Sequence, residues 1–409
     1  MPRLNKMRTA LPRGSGGNTA PASLSRLRTA LTVFFALDGF LFAGWVVRIP
    51  AVKQQTGATA STLGLALLGV SAGAVITMML TGALCRRHGS HAVTVVCGVL
   101  LSLSIALPAQ TGSVTALGLV LLLFGAAYGG MNVAMNSAAV DLVTAMRRPV
   151  MPSFHAAFSF GGMTGAGLGG LVAGRLSPAT HLLALTGVGL LVTAVTGPAL
   201  LGGRAAAALP TEERRTDDSR EQPRRMSAHT RRVVVLFGVI ALCTAYGEGA
   251  LAEWGALHLS QDLRATPGLA AAGYSLFALM MGIGRLTGTT LLERFGQTRT
   301  LVAGGMTAGV GMLFGSLAPA VWLTLLGFAV AGLGLANIFP VAVGRAGALA
   351  GPSGVAAAST LGYGGMLLGP PVIGFLADWF SLPSALTTVT LLAAVAAALG
   401  HTARHATNA

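Results

Sequence analysis

Apolar windows of about 20 residues alternate with short polar breaks along almost the whole chain. Six windows, near 29–48, 61–84, 92–109, 115–140, 153–174 and 180–202, precede one long polar run. Six more follow it, near 233–256, 268–291, 298–318, 320–344, 353–376 and 382–400. A helix rises about 1.5 Å per residue, so each window is long enough to cross a hydrocarbon core of about 30 Å. A helix in lipid satisfies its own backbone, whereas a β-barrel would show alternating segments of about ten residues. The pattern predicts an all-α polytopic membrane protein with 12 transmembrane helices arranged as six, a strap and six.

The polar run 203–232 holds eight arginines, five acidic residues and two prolines, with almost nothing large and apolar. It cannot bury enough surface to offset the entropy of ordering, so it is expected to be a linker outside the membrane. The expected organisation is a disordered basic tail over 1–28, a six-helix bundle over 29–202, the linker, a second bundle over 233–401 and a tail over 402–409. The first residues have no separate apolar segment of the kind a cleavable signal carries.

Composition agrees with this pattern. The 409 residues are 53% hydrophobic and only 10% charged, with a mean hydropathy of +0.71, too apolar and charge-poor for a soluble domain. The net charge of +15 does not indicate nucleic-acid binding, because the cations are scattered between the apolar windows. Their distribution instead predicts orientation, since cytoplasmic loops carry the excess of Lys and Arg. With both ends inside, 22 fall on the cytoplasmic side, and only Arg48, Lys53, Arg175 and Arg264 fall outside. Cys85, Cys97 and Cys243 have no paired spacing, so neither a disulfide framework nor a zinc site is indicated.

The two halves repeat. FGGM at Phe160–Met163 recurs as YGGM at Tyr363–Met366, GLVAGRLS from Gly170 as GFLADWFS from Gly374, and Asn132 as Asn337, at offsets of 203 to 205. A near-constant offset across loops is what duplication of a six-helix unit leaves. GxxxG spacings at Gly125/Gly129, Gly161/Gly165/Gly169, Gly284/Gly288 and Gly365/Gly369 are expected to be helix contacts. No GxxxxGK[ST] occurs and the chain has two lysines, which excludes a pump carrying its own nucleotide site.

Ionisable and amide side chains inside the windows are costly, so each needs a reason. Asp38 lies about 15 Å into the first window, as a partner for a buried arginine or as a proton or substrate site. Asn132 and Asn136 share one helix face, for a ligand or for interhelical hydrogen bonds, and Asn337 repeats Asn132 across the pseudo-symmetry. Glu248 and Glu253 are candidate proton or substrate groups on the seventh window; Glu253 lies where it could touch outside water, with Trp254 as an interface anchor. His155, at the start of the fifth window, is a candidate titrating or packing residue. Asp141 beside Arg147 and Arg148 suggests a gate or loop salt bridge, and Arg285 is a counter-ion for an acid or a snorkelling cation. Tyr128, Phe160, Tyr246 and Tyr363 are candidates to stack on a ring or to pack helices.

Two six-helix halves joined by a basic strap resemble the major facilitator superfamily of secondary transporters, over about Thr29 to His401. That family's loop signature GxLxDRxGRR reads GALCRRHGSH here, keeping Gly82, Leu84, Arg87 and Gly89 but placing Arg86 at the acid. TLLERFGQTR in the second half keeps Leu291, Glu293, Arg294 and Gly296. The resemblance implies that Arg87, Glu293 and Arg294 belong to a conformational latch, which the missing acid weakens. MNVAMNSAAVDL, RRPVMPSFHAAFSFGGMTGA and GEGALAEWGALHL are similar to the bacterial inner-membrane branch related to fucose permease. The likeness matches Asp38 to a proton-titrating residue, while Asn132 and Asn136 stand where an acid and an asparagine would be expected. GAGLGG at Gly165–Gly170 departs from the proline-containing signature of efflux members.

The expectation is a secondary active transporter of a small organic solute, working by alternating access and driven by a proton gradient with no bound cofactor. An efflux antiporter, an uncoupled facilitator and a non-transporting sensor remain open. No enzyme is expected, for want of HExxH or an acidic metal cluster in the windows. The expected partners are the solute and the bilayer of a bacterial inner membrane, with no nucleic acid, and the expected state is a monomer.

Overall fold

The structure is a computed structural model that describes residues 19–148, 150–202 and 227–406. The basic tail up to residue 18, most of the strap and the last three residues lie outside the described residues. Among the described residues the chain forms helices and turns with no strand. In the first half these are α1 (Thr19–Val46), α2 (Ile49–Thr56), α3 (Ala60–His88), α4 (Ser90–Ser104), α5 (Val114–Met146), α6 (Met151–Ala173) and α7 (Pro178–Gly202). In the second they are α8 (Ala228–Gln261), α9 (Pro267–Leu317), α10 (Val321–Leu335), α11 (Ile338–Trp379) and α12 (Leu382–Ala406).

The crossings outnumber the long helices because two helices run through a turn. A continuous helix of 51 residues, as in α9, would reach about 76 Å, more than twice a hydrocarbon core. It instead breaks at Gly296, whose φ of 73° suits glycine. Helix α11 breaks at Ala350 and Gly351. A two-residue turn at Ala336 and Asn337 separates α10 from the first part of α11, which together make the tenth crossing. Pro340, three residues on, has no N–H to return to that turn. The short α2 makes no crossing, so the described residues make twelve crossings. One end of the bundle carries the start of α1, the end of α7, the start of α8 and the end of α12, and is called here the terminal face; the other, with α2, is the distal face.

Glycine sets the closest crossings. A β-carbon on Gly161 of α6 would overlap the Ala36 carbonyl of α1, and one on Gly165 would overlap that of Phe40. Gly125 of α5 sits in the same way on Val70 of α3. In the second half Gly365 of α11 lies on the Leu242 carbonyl of α8, and Gly369 lies against Tyr246. Removing the side chain lets two backbones touch where lipid supplies no hydrophobic drive between helices.

Two sequence expectations change here. Trp254 is fully buried, not at the interface, because α8 packs inside the second bundle and runs on to Gln261. Arg48, counted among the loop cations, is also buried: its Nε donates to His181 Nδ1 at 2.9 Å and its Nη1 to the Ala173 carbonyl at 3.3 Å.

Candidate functional site

Between the halves, charged and aromatic side chains from four crossings gather around mid-depth. Ala36 and Phe40 make the contact of α1 with α6, which leaves Asp38 on the other side of α1, where it is fully buried and neither carboxyl oxygen has a hydrogen-bond partner in the structure. Helix α8 contributes Glu248 and α9 contributes Arg285, with Nη2 to Oε2 at 3.4 Å. The other end of the guanidinium crosses the boundary between the halves: Nη1 donates to Ser159 Oγ of α6 at 2.9 Å. The Ser159 hydroxyl donates in turn to the His155 carbonyl at 3.2 Å. Glu248 and Arg285 keep 26% and 17% of their side-chain surface exposed, so the pair faces accessible space.

Aromatic rings wall this region. Phe42 of α1 stacks on Tyr128 of α5 with centroids 5.1 Å apart, and Tyr274 of α9 meets Phe42 edge-on at 6.5 Å. Tyr128 is within electrostatic reach of Asp38, Tyr274, Tyr363 and Glu248, and Tyr274 of Glu248, Arg285 and Asp38. Two acids, one arginine and phenolic hydroxyls from both halves therefore border one region. Such a set can orient a small polar molecule by hydrogen bonds while rings cover its apolar faces.

The remaining candidates separate by position. Asn136 Nδ2 donates to the Asn132 carbonyl at 2.8 Å and lies 3.3 Å from Asn132 Oδ1, so part of that amide face is used within α5. Asn337 sits at the break before α11 and donates to the Gly284 carbonyl of α9 at 2.8 Å. A β-carbon on Gly288 would overlap the Asn337 side chain, so Gly284 and Gly288, one turn apart on α9 with Arg285 between them in sequence, form its seat. His155 is half-buried, edge-on to Phe35 at 5.6 Å. Glu253 is only 7% exposed and its Oε2 has no partner, which corrects its placement against outside water: it lies on the packed side of α8.

Arg87, Asp141, Arg147, Glu293 and Arg294 are all exposed toward the terminal face. Asp141 forms no salt bridge with Arg147 or Arg148. Arg147 ends α5 in the left-handed region, with φ 49°, and in water such a pair gains too little to hold two long side chains together.

The distal face is closed by contacts the sequence reading did not single out. Asp378, at the end of α11, accepts from the Ala60 N–H at 3.0 Å and the Ser61 N–H at 2.9 Å, and also contacts Ser61 Oγ. Lys53 of α2 donates to Gln261 Oε1 at 3.2 Å. Burial pushes the Lys53 ammonium below the usual lysine range, more than Asp378 and Asp262 raise it. Ser159, Phe42, Tyr274 and Asp378 were missed because a serine or ring within an apolar run looks the same whether it packs or faces a cleft. Asp378 does lie in the repeated GFLADWFS segment, but the first half has Gly174 at that place in GLVAGRLS.

The sequence model of the Major Facilitator Superfamily matches residues 29–252 and 237–407. An uncharacterised MFS-type transporter of Yersinia pestis is 30% identical over 382 residues, covering 92% of this chain and 95% of the relative. An uncharacterised transporter of Sinorhizobium fredii is 33% identical over 368 residues, with 89% and 95% covered. Among solved structures, the nucleoside transporter NupG is similar with a TM-score of 0.68 at 14% identity, over 94% of this chain and 99% of that one. A bacterial homologue of the human lysosomal transporter Spinster, inward-facing and occupied, has a TM-score of 0.73 at 14% identity, over 95% and 98%. With both halves matched by the family model and the fold shared with these solved transporters, the chain belongs to the Major Facilitator Superfamily of membrane transporters.

Proposed function

We propose that this membrane transporter moves a small neutral or zwitterionic organic solute by alternating access, coupled to protons, with the terminal face in the cytoplasm. The observation that carries the reading is the Glu248–Arg285–Ser159 chain, which joins the two halves beside an unpartnered Asp38. A solute that offers hydroxyl, amide or carboxylate groups can compete for Arg285 and Ser159, while Phe42, Tyr128 and Tyr274 cover its apolar face. Because Arg285 and Ser159 belong to different halves, occupancy there acts on their relative position. An ionised carboxylate at Asp38 without cation or donor is costly, and a proton removes that cost. Proton exchange at Asp38 would thereby favour one arrangement of the helices over another. The distribution of Lys and Arg supports the orientation.

The test is a thermal-shift screen of the purified protein against sugars, nucleosides and antibiotics at two pH values, repeated with Asp38→Asn. The expected result is a solute that stabilises the wild type with a pH dependence that Asp38→Asn abolishes. A stabilising solute whose effect is equal in both proteins at both pH values would overturn the assignment of coupling to Asp38. Uphill uptake into proteoliposomes that is lost in Asp38→Asn while exchange persists would separate coupled transport from facilitation.

A further inference from the structure

The two faces are tied unequally. At the distal face Asp378, from the second half, caps the first turn of α3, from the first half, through the Ala60 and Ser61 amides. First-turn amides have no partner within their helix, and the positive helix end favours a carboxylate. The same corner is tight: a β-carbon on Gly64 would overlap the Pro370 carbonyl, and one on Gly374 would crowd that of Ala60. The cross-half bonds from Ser71 to Met366, Ser275 to Met163 and Arg285 to Ser159 lie between this corner and mid-depth. At the terminal face the first half presents exposed Arg86, Arg87, Arg147 and Arg148. The second half presents exposed Arg294 and Arg299 and half-buried Arg345; one exposed acid stands on each side, Asp141 on the first half and Glu293 on the second, so both rims remain net cationic. None of these forms an ion pair among the described residues. Bringing the halves together there would press cations on cations.

We propose that this asymmetry sets the resting state: Asp378 bolts the distal face shut, while the cationic rim opposes closure of the terminal face. The proposal rests on the reading that the two bundles rock against each other. Lys53 also reaches across the halves, but to the neutral amide oxygen of Gln261 through a single hydrogen bond, whereas Asp378 accepts from two first-turn amides.

Spin-label distance measurements in lipid nanodiscs, without added solute, test it. One pair of labels on exposed Gln54→Cys and Thr266→Cys reads the distal face, and another on Ala83→Cys and Gln297→Cys the terminal face, in a Cys85→Ser background. In the parent the distal pair is expected to give one short distance. Asp378→Ala should raise the ratio of distal-open to distal-closed molecules about tenfold, through loss of two charge-assisted hydrogen bonds, and shorten the terminal pair. Asp378→Asn, which keeps one acceptor oxygen, should shift both pairs the same way by less, and carries the test if the alanine variant does not fold. Reciprocal movement of the two pairs with pH in the parent, with no response to either Asp378 substitution, would overturn the bolt and leave the rocking reading standing. Single fixed distances in both pairs, in parent and variants at every pH and with every solute of the thermal screen, would overturn both.

Discussion

In the first half, Gly161 and Gly165 rest on the backbone of α1 at Ala36 and Phe40. In the second, Gly365 and Gly369, each 204 residues on, rest on α8 at Leu242 and Tyr246, each 206 residues on. The seam is one device used twice. What stands beside it differs: Asp38 lies between Ala36 and Phe40, and Thr244 occupies the matching place between Leu242 and Tyr246. Thr244 is buried and donates to the Ile240 carbonyl at 3.0 Å, so its polar group is satisfied within its own helix. A carboxylate has no donor to offer and cannot be satisfied this way, so Asp38 stays unpartnered. The second half carries its acid one turn further on, as Glu248, where Arg285 partners it. The packing of the two halves was duplicated, and the chemistry was divided between them.

The largest expected effect comes from erasing that division. Thr244→Asp would bury a second unpartnered acid, on the side of α8 away from the seam, and is expected to destabilise the protein by about 3 kcal/mol, read as a fall in melting temperature that shrinks at acid pH. Arg285→Ala removes the counter-ion of a largely buried acid and should cost about 2 kcal/mol. Adding Glu248→Gln to Arg285→Ala should recover part of that loss, and a double-mutant cycle on melting temperature measures how much. Asp38→Thr copies the second half into the first. It should raise stability by about 1 kcal/mol while abolishing the pH dependence of solute-induced stabilisation. Least affected should be Lys53→Gln, within about 0.5 kcal/mol of the parent. Burial lowers the Lys53 value from 10.5, so the folded form sheds that proton before the unfolded form does. Stability should therefore rise slightly with pH as the folded value is passed, up to about 10.5, and Lys53→Gln should remove that increment.

The helical class, the number of crossings and the repeat were legible because each rests on a run of many residues. A 20-residue apolar window has few other uses, and the offset of near 204 is maintained through the seams themselves. Asp38, Glu248 and Arg285 also stood out, because charge inside an apolar window is conspicuous. The side chains that complete the region did not. Ser159 is bonded back to its own helix like many other hydroxyls, so the sequence gives no sign that it also accepts from Arg285, and nothing local distinguishes Tyr274 in the cleft from a packing ring. Trp254 and Glu253 were misplaced for a related reason: their windows show depth along the helix but not which side faces the neighbouring helices. Asn337 repeats Asn132 in sequence, yet Pro340 breaks the helix beside only one of them, and the two amides accordingly bond to different partners.

Two joints at the terminal face are a single residue long. Gly89, with φ 85°, is all that separates α3 from α4, and Gly296, with φ 73°, turns α9 back on itself. A connection that short has no slack. A tilt of the segment carrying Arg285 must drag its successor, as a crank moves its rod, so that segment of α9 and the one after it share a single degree of freedom. Splicing a few flexible residues in at Gly296 would leave every cleft side chain in place and free the segment carrying Arg285 from the one that follows it.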